Sequence, residues 1–168
     1  CGKTTFLELL RQNLTPTSGT VRIGNDLKIE YVDQHNQLDG ERTPIEHFKE
    51  IGFTEEQARS ILSGIHFSQG ESETVFSNLS RGQRLRLRFS LLFRSNPEFI
   101  ILDEPTNNLD PVTWDLLVEL VNDFQGSVLT VSHDRSFVES IENKSIWVMK
   151  KGKIKEVWME LEDALELV

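Results

Sequence analysis

The chain has 168 residues, room for one domain or one domain with a small satellite, and a chain of this length buries about 70% of its unfolded surface. Hydrophobic residues make up 38% and charged residues 27%, and 18 Lys and Arg against 27 Asp and Glu leave a net charge of −9, which excludes simple disorder and a general basic nucleic-acid surface, though not a local basic contact. A single cysteine, Cys1, excludes an internal disulfide and a cysteine metal cluster; no apolar run reaches the roughly 18 residues of a membrane span and no signal-peptide pattern is present, so the chain reads as soluble and cytoplasmic.

In chain order, Lys3 to Gln12 has its apolar residues clustered as on one side of a helix. Thr15-Pro16-Thr17-Ser18-Gly19 reads as a turn. Val21 to Ile23 and Lys28 to Val32 read as short strands, with Gly24-Asn25-Asp26 as a hairpin turn between them. Thr43-Pro44-Ile45-Glu46 is a helix start with a cap, a Pro and a reciprocating Glu; Thr54 to Gln57 opens a second helix that ends near Gly64. The polar stretch from Ser68 to Ser77 is the candidate subdomain joint. Ser80 to Gln83 opens a third helix, stopped by Asn96-Pro97.

Phe99-Ile100-Ile101-Leu102 is a continuous apolar run, as expected of a central strand buried on both faces. Asp110-Pro111 begins a helix to about Phe124, Ser127 to Val131 is a strand, and Arg135 to Ile141 is helical. Ser145 to Met149 and Ile154 to Val157 are strands joined by a lysine-rich turn, and Glu160 to Leu167 is a last short helix. Strands alternating with helices predict an α/β domain with a largely parallel sheet.

Two patterns carry chemistry. Gly2-Lys3-Thr4 before an apolar helix has the composition of the tail of a phosphate-binding loop. A helix start offers unpaired N–H groups to an anion, a Lys reaches phosphates, and a hydroxyl holds Mg²⁺. The bland alternative is a turn before a helix. The run ending in Asp103-Glu104 places two carboxylates at the C-terminal edge of a sheet, where open α/β folds bind ligands. Asp103 can hold Mg²⁺ and Glu104 can take a proton from an attacking water.

With these, the chain resembles a nucleotide-binding domain of the ATP-binding cassette superfamily. Leu79-Ser80-Arg81-Gly82-Gln83 is similar to its signature Leu-Ser-Gly-Gly-Gln, with Arg81 where the family usually has Gly. Gln34, Leu109-Asp110 and His133 match its Q-loop, D-loop and switch histidine. Asp103 to Asp110 and Ser132 to Phe137 resemble the ABC-F branch, whose known members act on ribosomes in translation control or antibiotic protection.

The resemblance implies a P-loop NTPase-type sheet flanked by helices, one domain over 1–168, with a helical, signature-bearing subdomain over 35–95. It implies ATP and Mg²⁺ as cofactors: Gly2, Lys3, Thr4 and Thr5 on the nucleotide, Thr4, Gln34 and Asp103 on the metal, and Glu104, Gln34 and His133 as catalytic residues. Ser80, Gly82 and Gln83, with Asp110, would face the nucleotide of a second cassette. The implied partners are that cassette and the ribosome with its RNA, without membrane insertion.

Only about two helices lie between Gln34 and Leu79, where ABC-F N-terminal cassettes often carry an extra helical arm, so the resemblance implies a C-terminal cassette or one lacking the arm. The phosphate loop's first half is expected upstream of Cys1, so the chain by itself is expected to bind ATP poorly. The alternatives are the ATP-binding subunit of a membrane transporter and a non-catalytic binding module. Arg81, Arg84, Arg86, Arg88 and Arg94 read as the solvated face of the signature helix and partners for nearby acids, with RNA contact as the alternative. Trp114, Trp147 and Trp158 read as packing residues, and His35, His47 and His66 as surface or packing residues.

Overall fold

A computed structural model describes residues 2–32, 38–150 and 152–157. The elements are α1 (Lys3–Leu10), β1 (Ile29–Val32), α2 (Pro44–Glu50), α3 (Glu55–Gly64), α4 (Gln69–Ser72), a 3-10 turn (Phe76–Asn78), α5 (Arg81–Arg94), β2 (Phe99–Asp103), α6 (Pro111–Asp123), β3 (Ser127–Val131), α7 (Arg135–Ser140), β4 (Ile146–Lys150) and β5 (Lys153–Val157). They fall into two compact units, Cys1–Leu27 with His133–Val168, and Lys28–Ser132. Gln34, His35, Cys1, Trp158 and the helix expected over Glu160 to Leu167 lie outside the described residues.

The Lys28–Ser132 unit holds a three-stranded sheet in the order β1-β2-β3. Both pairings are parallel: Ile29 faces Phe99 and Val32 faces Leu102, while Phe99 faces Ser127 and Asp103 faces Val131. As its apolar run predicts, β2 is central, and Ile100, Ile101 and Leu102 are buried on both faces. Helices accompany the sheet, and α5 packs on α6.

A second core forms among the helices between β1 and β2. Phe48, Leu62, Ile65, Phe67, Phe76, Leu79, Leu87 and Leu91 are buried there. Each such side chain contributes roughly 1.5–3 kcal/mol of apolar burial. Capping boxes at Thr43/Glu46 and Thr54/Gln57 set the starts of α2 and α3 as the sequence indicates. His47 is buried within this region, with Nε2 3.1 Å from the Asp39 carbonyl and its ring edge-on to Phe76.

Three expectations change. The hairpin over 21–32 does not form. Gly24 closes a turn by accepting the Leu27 N–H, but Val21 to Ile23 is not a strand, and β1 pairs with β2 instead. Lys28 already joins β1 to the Glu98-Phe99 segment: its N–H donates to Glu98 Oε2 and its carbonyl accepts from Phe99 N–H. The segment from Ser68 to Ser77 lies inside one unit and folds as α4 and part of the 3-10 turn, with Ser72 and Phe76 buried.

The Cys1–Leu27 and His133–Val168 unit contains α1, α7 and the antiparallel pair β4–β5. α1 stops before Gln12, which takes a left-handed conformation (φ 60°). On β4, Trp147 is 55% exposed, so it is not a packing residue as expected. Among the described residues no helix is long and apolar enough to cross a membrane.

Candidate functional site

Asp103 ends β2 and Glu104 follows it, both half-buried, at the carboxyl edge shared by the three parallel strands. Glu104 leaves the strand in a left-handed conformation (φ 48°), rare for a residue with a side chain. Its N–H still donates to the Val131 carbonyl at 2.7 Å, and its own carbonyl accepts from Asn107 N–H at 3.3 Å. The backbone therefore turns at the second acid while staying bonded to β3. A cavity of about 700 Å³ in this unit is lined by Asp103 and Glu104 together with Arg81, Arg84, Arg88 and Phe76.

The start of α5 is a capping box. Ser80 Oγ accepts from Gln83 N–H at 3.3 Å, and Gln83 Oε1 accepts from Ser80 N–H at 2.7 Å. Gln83 Nε2 also donates to Glu71 on α4, tying the signature turn to the neighbouring helix. Glu71 is itself held below the usual carboxylate range, chiefly by the Ser68 backbone N–H. Ser80 and Arg81 are exposed at this turn.

Asp110 caps α6. Its two oxygens accept from Thr113 N–H at 3.0 Å and Thr113 Oγ1 at 2.7 Å. The Thr113 hydroxyl is the main cause that keeps the Asp110 carboxyl below its ordinary range, with burial opposing. Gly82 lies against the same group: a methyl there would come within 2.6 Å of Asp110 Oδ2. The structure thus brings Gly82 and Asp110 together, which the linear motifs do not reveal.

In the other unit, Gly2 caps α1 in a left-handed conformation (φ 103°), and the first turn carries no acidic residue. Such a turn suits an anion, because a helix start directs its N–H groups outward and the helix dipole is not opposed by a carboxylate. Lys3 is half-buried; Thr4 and Thr5 are exposed. His133 is exposed just ahead of Asp134, whose carboxylate caps α7 by accepting from Phe137 N–H at 3.1 Å.

The arginines of α5 are not a solvated face. Arg84 and Arg88 lie over the Phe76 ring at 6.0 and 5.6 Å, and Arg86 lies over Phe67 at 5.6 Å while donating to the Ile65 carbonyl. The Nε atoms of Arg86 and Arg88 are buried without a hydrogen-bond partner among the described residues. Arg94 is half-buried and donates to Ser90 Oγ at 3.0 Å. Of the five, Arg81 alone is exposed.

The family pattern described as ABC transporter matches residues 1–107. The chain belongs to the ABC transporter family. Relatives of this ABC cassette include the ATP-binding protein Uup of Haemophilus influenzae, 37% identical over 161 residues, covering 92% of this chain and 25% of that protein. ATP-binding cassette sub-family F member 2 of Bos taurus is 37% identical over 159 residues, covering 91% of this chain and 25% of that protein. The chain therefore spans about a quarter of the length of these relatives, and the ABC-F resemblance read from residues 103–110 and 132–137 is borne out.

Two solved structures share the ABC fold. An archaeal ribosome recycling factor, in complex with a ribosomal stalk protein, gives a TM-score of 0.67 at 21% identity over 92% of this chain and 31% of that one. A dimeric ATP-binding cassette in a post-hydrolysis state with ADP and phosphate gives 0.65 at 23% identity over 93% of this chain and 80% of that one.

Sequence reasoning missed Thr113 and Glu71 beside the ABC motifs. Thr113 carried a signal, since Asp110 three residues ahead is the spacing of a helix cap. Glu71 carried none for its contact with Gln83, which depends on how α4 packs.

Proposed function

We propose that the complete protein hydrolyses ATP between two cassettes and couples their closure to the ribosome, in the cytoplasm, in translation control or protection from antibiotics. The observation that carries the reading is the acid pair Asp103-Glu104 at the carboxyl edge of the buried central strand, in a chain whose relatives include members of sub-family F. The ribosomal context draws support from the recycling factor, and the two-cassette arrangement from the dimeric ADP-bound cassette.

In this reading 1–168 is one ATP-binding domain, the C-terminal cassette of its protein, and 35–95 is its signature-bearing subdomain. The α1 start fits a phosphate by its left-handed Gly2 and lack of acid, and Asp103 fits a metal that keeps most of its ligands as phosphate oxygens and water. Gly2, Lys3, Thr4 and Thr5 hold the phosphates. Thr4, Gln34 and Asp103 would hold Mg²⁺, which would supply charge neutralisation for the transferring phosphoryl group.

Glu104 accepts a proton from the attacking water, and His133 hydrogen-bonds the γ-phosphate. Ser80, Gly82 and Gln83, with Asp110, complete the site of the facing cassette. Its γ-phosphate thereby favours the closed state, and its loss releases it.

Glu104→Gln in the complete protein tests this. Turnover is expected to fall by about 10²–10⁴-fold with ATP binding kept, and the trapped protein is expected to co-sediment with ribosomes in ATP. Unchanged turnover removes Glu104 from its role; absence of ATP-dependent co-sedimentation removes the ribosome from the reading.

A further inference from the structure

We infer that Thr113, a residue outside every motif, is a positioning residue that fixes the signature turn by clamping the Asp110 carboxylate against Gly82. Thr113 is fully buried, with 0% of its surface exposed. A buried threonine early in a helix commonly bonds a carbonyl of the preceding turn. Here its hydroxyl reaches Asp110 Oδ2 at 2.7 Å, and its N–H reaches Oδ1 at 3.0 Å. With both oxygens held, the carboxylate has one orientation.

That orientation directs Oδ2 at Gly82. A methyl group on Gly82 would lie 2.6 Å from Oδ2 and 3.8 Å from Thr113 Oγ1. A Cβ here would force the Asp110 carboxylate to shift away from the two bonds that hold it, independently of any nucleotide. Gly82 sits within the Ser80/Gln83 capping box, whose Gln83 is in turn bonded to Glu71. Thr113, Asp110, Gly82, Gln83 and Glu71 thus form one connected path from α6 through the start of α5 to α4. Removing the hydroxyl takes the Thr113 donor from Oδ2, and the carboxylate, still bonded to Thr113 N–H through Oδ1, is less firmly oriented beside the one residue that has no side chain to stop it.

This rests on the ATPase reading, in which the signature turn completes the site of a facing cassette. The test compares Thr113→Val, which keeps the volume and the backbone N–H, with Thr113→Ser, which keeps the hydroxyl, in the complete protein. A signature turn that acts only in the closed state affects turnover rather than ATP capture. Thr113→Val is expected to lower kcat about tenfold with KM for ATP within about twofold, and Thr113→Ser to restore kcat to within about twofold. Hydrogen exchange at the amides of residues 81–84 is expected to quicken in Thr113→Val and not in Thr113→Ser.

Unchanged kcat in Thr113→Val overturns the inference, as does an equal loss in Thr113→Ser, which would assign the effect to packing of the methyl group. If the complete wild-type protein turns over no ATP, the ATPase reading falls by itself and exchange decides. Faster exchange confined to Thr113→Val supports the clamp; equal exchange in all three proteins overturns it.

Discussion

Ser80 caps α5 and, in the proposed function, contacts the facing nucleotide; a pair of substitutions separates the two. Its hydroxyl oxygen accepts the Gln83 N–H at 3.3 Å and so caps a helix of 14 residues. It is also exposed at the turn assigned to the facing nucleotide. Ser80→Ala removes the cap, while the reciprocal bond from Ser80 N–H to Gln83 Oε1, at 2.7 Å, needs no serine side chain and survives. The loss is then that of a single cap, about 1 kcal/mol, which opens the first turn about fivefold more often.

Ser80→Asp keeps the cap, since aspartate accepts the same bond, but adds a negative charge. At about 4 Å from a phosphate and an effective dielectric near 20, that charge costs about 4 kcal/mol per unit of phosphate charge, or about a thousandfold in ATP-driven closure. The assay is hydrogen exchange over residues 81–84 in the complete protein, with ATP-dependent closure followed by fluorescence transfer between labelled cassettes. Ser80→Ala should quicken exchange and retain some closure; Ser80→Asp should keep exchange and abolish closure. Normal closure in Ser80→Asp would refute the placement of Ser80 at the phosphate. Unchanged exchange in Ser80→Ala would refute the cap as a source of stability.

Ile101 is 1% exposed in the central strand, so Ile101→Ala should destabilise the unit by about 2–5 kcal/mol, read as a lower urea midpoint. Gly126→Ala would set a methyl 2.5 Å from the Phe124 ring and 2.6 Å from the Glu98 carbonyl; a loss of about 1–3 kcal/mol is expected, and a neutral result would show that the turn before β3 yields. Asp110 has a depressed folded pKa, so its cap contributes fully above the unfolded value of about 3.9 and is lost as pH falls through the folded value. Protection at the start of α6 should therefore weaken below about pH 4, and Asp110→Asn, which caps without titrating, should remove that component.

Much of the fold was legible because its signals are local. Thr43 with Glu46, Thr54 with Gln57 and Ser80 with Gln83 each announce a helix start within four residues, and all three form. Phe99 to Leu102 announced a buried strand by its unbroken apolar run. The hairpin over 21–32 failed because pairing is not local: β1 bonds to a strand far along the chain, and no turn residue encodes that choice.

The arginines depart from a solvated face for a reason the helix itself supplies. At about 100° per residue, Arg84 and Arg88 share a face while Arg86 points nearly opposite, so the three cannot all face water. They divide accordingly, two over Phe76 and one over Phe67. In the candidate site, the acids and the signature were legible as strings. The closeness of Gly82 to Asp110 was not, because it arises where α5 packs on α6.

The left-handed backbone at Glu104 has a bearing on how this sequence can drift. That conformation costs a residue with a side chain roughly 1–2 kcal/mol, while Gly, and to a lesser degree Asn, adopt it readily. A population selected for heat resistance alone should therefore accumulate Gly or Asn at position 104, each gaining stability by discarding the carboxylate. Retention of Glu there when ATP turnover is demanded alongside heat resistance would measure how strongly the chemistry holds a position that folding would give away.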